Sequence, residues 1–158
     1  MNKVEYALNQ FNQDYNCAQS VFSTFAEEFG LSTHAALSIA MPFGGGLARL
    51  GHVCGAVSGP LMCIGLMTAR TNLPNKELKD ITYQRTREFA RRFVQRNGSL
   101  LCRELIGMDI STPEGLQHAI EKNTFSTTCV KFVWDAVEIL SEILEALELQ
   151  EKDPRNGN

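Results

Sequence analysis

Five cysteines carry the chemistry open to this sequence: Cys17, Cys54, Cys63, Cys102 and Cys129. A thiolate binds soft metals and iron–sulfur clusters, attacks disulfides, and is oxidised and reduced reversibly. Position along the chain sorts the five. Cys17 follows Asn16, Cys54 follows Gly51-His52-Val53, and Cys129 follows Ser126-Thr127-Thr128, each at the expected start of a helix. There the free N–H groups and the positive end of the helix dipole favour a thiolate. Cys102 is followed by Arg103, a second way of favouring the anion, and His52 stands beside Cys54 as a source of a proton or a positive charge. Cys63 lies nine residues after Cys54. At roughly 100° per residue it points to the opposite side of a straight helix, so it reads as core.

Consecutive members of the remaining set, Cys17, Cys54, Cys102 and Cys129, are 37, 48 and 27 residues apart. No Cys-x-x-Cys pair occurs, which removes the knuckle of a zinc ribbon and the thioredoxin motif. If the four act together, folding has to gather them from four distant segments. The competing explanation is that each is a small apolar residue packed in a core.

The elements that would position them are helical almost throughout, with no convincing strand. Helices are expected over 2–12, 17–29, 33–41, 53–69, 76–97, 113–121 and 126–150, with a short turn at 102–106. Asp14 or Asn16 caps the second and Gly30 ends it; Ser32 or Thr33 starts the third and Pro42 stops it. The segment 53–69 is the most apolar and reads as a buried central helix despite Pro60. Gly51, Gly55 and Gly59, spaced by four, form a stripe that lets another backbone come close. The last helix carries Cys129, Phe132, Val133, Ala136, Val137, Leu140, Ile143, Leu144 and Leu147 on one face. The fold class is all-α, a compact bundle of five to seven helices around a buried Gly-rich central helix. One domain covers 1–150, with a polar tail expected to be disordered at 151–158.

Composition excludes several classes. The chain has 158 residues, is 44% hydrophobic and 21% charged, and has a net charge of -3. That fits one globular domain and argues against a nucleic-acid binder or an anionic-membrane binder, both of which need a basic face. No apolar run reaches the length of a membrane span. Residues 1–30 contain Glu5, Asp14, Glu27 and Glu28 and no hydrophobic run before a small-residue cleavage site, so the expected compartment is the cytoplasm. Gly44-Gly45-Gly46 lacks the Lys-Ser/Thr of a phosphate loop and reads as a tight connection. Arg85, Arg87, Arg91, Arg92 and Arg96 form a solvated face, of which Arg85 and Arg96 lie closest to the apolar stripe and to any inner anion or thiolate. His34 and His118 stand alone, and Trp134 lies off the main stripe of its helix, where it marks a second contact such as a subunit interface.

The order and flanks of the four cysteines resemble a known family. Cys54-Gly55-Ala56-Val57-Ser58-Gly59 is a Cys-Gly-Ala-x-x-Gly motif. Cys17 precedes it in Tyr15-Asn16-Cys17-Ala18-Gln19. Cys102 follows in Cys102-Arg103-Glu104-Leu105-Ile106-Gly107, and Cys129 in Thr128-Cys129-Val130-Lys131-Phe132-Val133. Together with Phe43-Gly44-Gly45-Gly46-Leu47-Ala48-Arg49, this resembles the C-GCAxxG-C-C family of redox-active proteins over roughly residues 10–147. The resemblance implies a small, mostly helical protein that works beside oxidoreductases, with the family's four cysteine positions at Cys17, Cys54, Cys102 and Cys129. Cys63 matches none of them.

Three expectations follow. Four thiolates exceed what dithiol exchange needs, so the first is an iron–sulfur cluster or another metal held by Cys17, Cys54, Cys102 and Cys129 for electron transfer, with Gly55 and Gly59 leaving room for the cofactor. The second uses the same four as redox thiols, with Cys54 as attacking thiolate and another cysteine resolving the product. The third is a non-catalytic helical interaction protein with packing cysteines. The expected partners are an oxidoreductase or other redox protein and a second copy of the chain, with no nucleic acid and no membrane insertion.

Overall fold

The computed structural model describes residues 1–151, the side chains of Gln150 and Glu151 excepted. It contains α1 (Lys3–Asn12), α2 (Cys17–Ala26), α3 (Thr33–Ala40), α4 (Gly55–Ala69), α5 (Asn75–Asn97), α6 (Cys102–Ile106), α7 (Pro113–Glu121) and α8 (Thr124–Glu151), with 3₁₀ turns at Glu27–Phe29 and Met41–Phe43. The eighth helix beyond the expected seven is α6, the five-residue turn that opens on Cys102. Apart from Glu151, which ends α8, the tail expected at 151–158 lies outside the described residues.

Local chemistry fixes the ends. Asn2 with Glu5, and Asn16 with Gln19, form reciprocal capping boxes that open α1 and α2. Ser32 and Thr112 cap α3 and α7. Gly98 and Gly107 close α5 and α6 in the left-handed region. The expected start at residue 53 is two residues early. Val53 pairs with Leu101 in an isolated antiparallel bridge, so residues 53–54 are extended and α4 begins at Gly55. Among the described residues, that bridge is the one departure from helix and turn toward a sheet.

The core is built from α2, α4, α5 and α8. Phe22, Phe25, Ile64, Phe89, Phe93, Val133, Val137 and Leu140 are fully buried, each large one contributing roughly 1.5–3 kcal/mol. Gly55 and Gly59 face α2. A Cβ on Gly55 would stand 2.7 Å from the Ala18 nitrogen, and one on Gly59 3.0 Å from the Ala18 carbonyl oxygen. Gly51 lies outside the helix against the Arg103 side chain, so only two of the three expected stripe residues serve the helix contact.

On the outside of the bundle, Arg96 pairs with Asp135, Glu138 and Glu142 of α8, and Arg92 with Glu88 and Glu142. Arg85 donates to the Thr68 hydroxyl at 3.0 Å. The idea that Arg96 reaches an inner thiolate is thereby corrected, because carboxylates of α8 hold it, while Arg85 reaches in as far as the buried Thr68. Trp134 is 45% exposed on α8. No helix among the described residues is long and apolar enough to cross a membrane.

Candidate redox site

The segment between the 3₁₀ turn at Met41–Phe43 and α4 is more than a tight connection. Gly45, Gly46, Leu47, Ala48 and Arg49 all have positive φ, at 64°, 67°, 69°, 48° and 65°. For an L-residue this conformation costs roughly 1–2 kcal/mol, and it is normally visited singly. Long-reach backbone bonds hold the run in place: Ala48 N–H to Pro42 O at 2.8 Å, Arg49 N–H to Gly44 O at 3.0 Å, Gly51 N–H to Gly45 O at 3.1 Å and His52 N–H to Gly46 O at 2.9 Å. Gly46 is obligatory, since its Cβ would fall 2.5 Å from the His52 carbonyl oxygen and 2.8 Å from the Cys102 Cβ. A Cβ on Gly44 would fall 2.7 Å from the Asn16 side chain. The glycine run thus lies against the residue that caps α2 and against one of the four cysteines.

Four elements present the family cysteines. Cys17 is the first residue of α2, behind the Asn16 cap. The Asn16 side chain accepts from the Gln19 amide at 3.0 Å and donates to the Met41 carbonyl at 2.9 Å, which ties the start of α2 to the glycine segment. Cys54 is the residue just ahead of α4 and Cys102 the first of α6. The bridge between them is completed by Cys54 N–H to Leu100 O at 2.9 Å and Cys102 N–H to His52 O at 2.7 Å. Side chains alternate across such a pair, so Cys54 and Cys102 point to the face opposite Val53 and Leu101. Exposure agrees: 3% and 6% for the cysteines against 41% and 36% for Val53 and Leu101. Cys129 is placed differently from expectation. Because α8 starts at Thr124, Cys129 sits in its second turn and not at its free N–H groups. His52 is exposed and serves the site through its backbone.

The sulfurs influence one another. The Cys17 thiol lies against the sulfurs of Cys129 and Cys54, and this neighbourhood together with burial holds its proton well above the ordinary thiol range. The same contact from Cys17 favours the thiolate at Cys54 and lowers its pKa against the opposing effect of burial. Ala56 and Val57 N–H groups at the start of α4 add to that lowering without a formed side-chain cap. Cys102 behaves oppositely. Burial, then negative charge at Cys54 and Cys129, push it up to about 12. Arg103 acts only weakly on it, its guanidinium donating to the Leu50 carbonyl at 2.8 Å. Burial likewise raises Cys63, which lies at 0% exposure in the core. All five cysteines are free.

A cavity of about 720 Å³ opens in front of this group. Cys17, Cys102 and Cys129 line it, while Cys54 lies behind, against Cys17; Asp14, Tyr15 and Arg49 form part of its rim and wall. Sequence reasoning missed Asp14 and Arg49. Their signal was adjacency to the Cys17 cap and to the glycine run. The donor set suits a soft metal, but among the described residues no three His, Cys, Asp or Glu side chains are arranged to hold an ion. As placed, the thiols do not form a ligand set for the expected cluster. Gly55 and Gly59 are occupied by the α2 contact, and Gly55 adjoins the Cys17 Cβ at 3.1 Å from its own virtual Cβ.

Comparison with known proteins adds one family and one relative. A family described as "Putative redox-active protein (C_GCAxxG_C_C)" matches residues 15–143. A protein of Archaeoglobus fulgidus named only "Uncharacterized protein" is 28% identical over 106 residues, covering 63% of this chain and 70% of the relative. No solved structure matches.

Proposed function

We propose that this chain, which belongs to the C_GCAxxG_C_C family, is a thiol–disulfide redox protein working through Cys17 and Cys54. One observation carries the reading: Cys17 lines the cavity and packs on the start of α4 beside Cys54, so a disulfide that enters there meets one thiol with a second next to it. Cys17 is the partly buried, cavity-lining member and meets the incoming disulfide. As its sulfur attacks, its proton passes to the Cys54 thiolate. An S–S bond forms between Cys17 and one half of the substrate, and the other half leaves as thiolate. The Cys54 sulfur then attacks the Cys17 sulfur. A Cys17–Cys54 disulfide forms, and the second half departs with the Cys54 proton. The protein gives up two electrons, and one disulfide becomes two thiols.

Cys129, also in contact with Cys17, is the alternative resolving sulfur, and Cys102 stays protonated beside them. A redox partner protein of the oxidoreductase class restores the dithiol. The test is peptide mapping of the full chain after anaerobic reduction and stoichiometric oxidation by a small disulfide. A Cys17–Cys54 link is expected. Five thiols still free, or random links that include Cys63, overturn the proposal. Anaerobic purification with metal analysis and a visible spectrum runs in parallel, and iron bound through these cysteines would replace the dithiol reading with the cluster reading.

A further inference from the structure

We infer that the cavity in front of Cys17 takes a small zwitterionic disulfide of the amino-acid type, its ammonium at Asp14 and its carboxylate at Arg49. This rests on the thiol–disulfide reading and names the substrate class for it. The cavity, about 720 Å³, is within the range of small-molecule sites. Most of its neutral polar groups are already used. The Asn16 amide bonds Gln19 and Met41, the Gln19 amide donates to the Leu37 carbonyl at 2.9 Å, and the Ser126 hydroxyl donates to the Asn123 carbonyl at 3.1 Å. The two charges on the wall are not used: among the described residues neither Asp14 nor Arg49 takes part in an ion pair.

They come from different loops. Asp14 belongs to the α1–α2 turn and Arg49 to the left-handed run, and each is fixed at φ 65°. Two opposite charges on separate supports, a sulfur at the back and the rings of Tyr15 and Phe125 on the wall match one ligand chemistry. That ligand is a disulfide whose halves each carry an amine and a carboxylate. A dianion meets Asp14 unfavourably and a dication meets Arg49 unfavourably. The exchange is the one written above, releasing two molecules of the amino-acid thiol.

The experiment uses the full-length reduced protein and four probes: cystine, cystamine, dithiodiglycolate and hydroxyethyl disulfide. Each oxidation rate is divided by the rate of the same probe with a free small thiol, which removes leaving-group chemistry. Cystine is expected to exceed hydroxyethyl disulfide by about tenfold, with the two singly matched probes between them. Arg49→Gln is expected to lower the ratio to hydroxyethyl disulfide for cystine and dithiodiglycolate. Asp14→Asn, which tolerates the same backbone, is expected to lower it for cystine and cystamine. Equal normalised rates for all four probes, or variants that lower them alike, overturn the substrate class while leaving the dithiol chemistry standing. Failure of hydroxyethyl disulfide itself to oxidise Cys17 and Cys54 overturns the underlying reading and this one with it.

Discussion

Val53 and Leu101 form a single antiparallel pair, and through it two cysteines 48 residues apart in the chain face the same side. Backbone bonds from Cys54 to Leu100 and from Cys102 to His52 close the pair, and a longer one from Arg103 to Gly51 extends it. Cys17 reaches the same place along a different route, the close packing of α2 on α4. The second attachment gives a change with a measurable consequence.

The α2–α4 approach depends on Gly55. Gly55→Ala puts a Cβ 2.7 Å from the Ala18 backbone nitrogen and 3.1 Å from the Cys17 Cβ. Backbone cannot yield there cheaply, so about 1–3 kcal/mol of stability is expected to be lost. Gly65→Ala in the same helix meets nothing within 4 Å and is expected to gain roughly 0.5–1 kcal/mol. Urea denaturation of both variants reads the difference, and equal midpoints contradict the packing argument.

The dyad predicts a transferable pKa. Cys17→Ala removes the largest influence lowering Cys54, so the Cys54 thiolate is expected to form at higher pH. Cys17→Ser retains a donor and keeps part of the lowering. Ultraviolet thiolate absorbance against pH follows both, with Cys63 and Cys102 remaining protonated through the neutral range.

Stability at high pH follows from Cys102. Its folded value lies above its ordinary one, so its contribution is complete below about 9 and is lost as pH rises toward about 12. Across that window the folded state holds the extra proton, and stability falls by about 1.4 kcal/mol per pH unit from this group. Cys102→Ala is expected to flatten the slope in pH-dependent denaturation. An unchanged slope shows that other groups set it.

Cys63 separates packing from chemistry. Cys63→Ser places a hydroxyl in a fully buried apolar site and is expected to cost about 1–3 kcal/mol. The disulfide map after oxidation should be unchanged. A missing Cys17–Cys54 link in this variant, at a temperature where it is folded, contradicts the separation.

Much of this was legible in the residues. Helix ends were readable from Asn16, Gly30 and Ser32, because capping is local chemistry. The apolar face of α8 was readable from its period, and Cys63 from its angle on the helix. What the sequence could not show was long-range pairing. The two extended residues before α4 depend on Leu100–Cys102, so no local pattern announces that Cys54 precedes the helix. The start of α8 differs for a local reason: Asn123, at φ 52°, takes bonds from Ser126 and Thr127, and the helix begins at Thr124 ahead of the expected Ser126. The neighbour expected to favour a Cys102 thiolate, Arg103, was visible, but not that its guanidinium turns to Leu50 or that two other sulfurs crowd the thiol.

The left-handed run from Gly45 to Arg49 has a consequence for chirality. Leu47, Ala48 and Arg49 occupy a backbone region that suits the mirror-image amino acids better than the natural ones. In a chemically synthesised chain, D-alanine at position 48 should therefore fit the rim of the cavity more comfortably than the ribosome's own residue does.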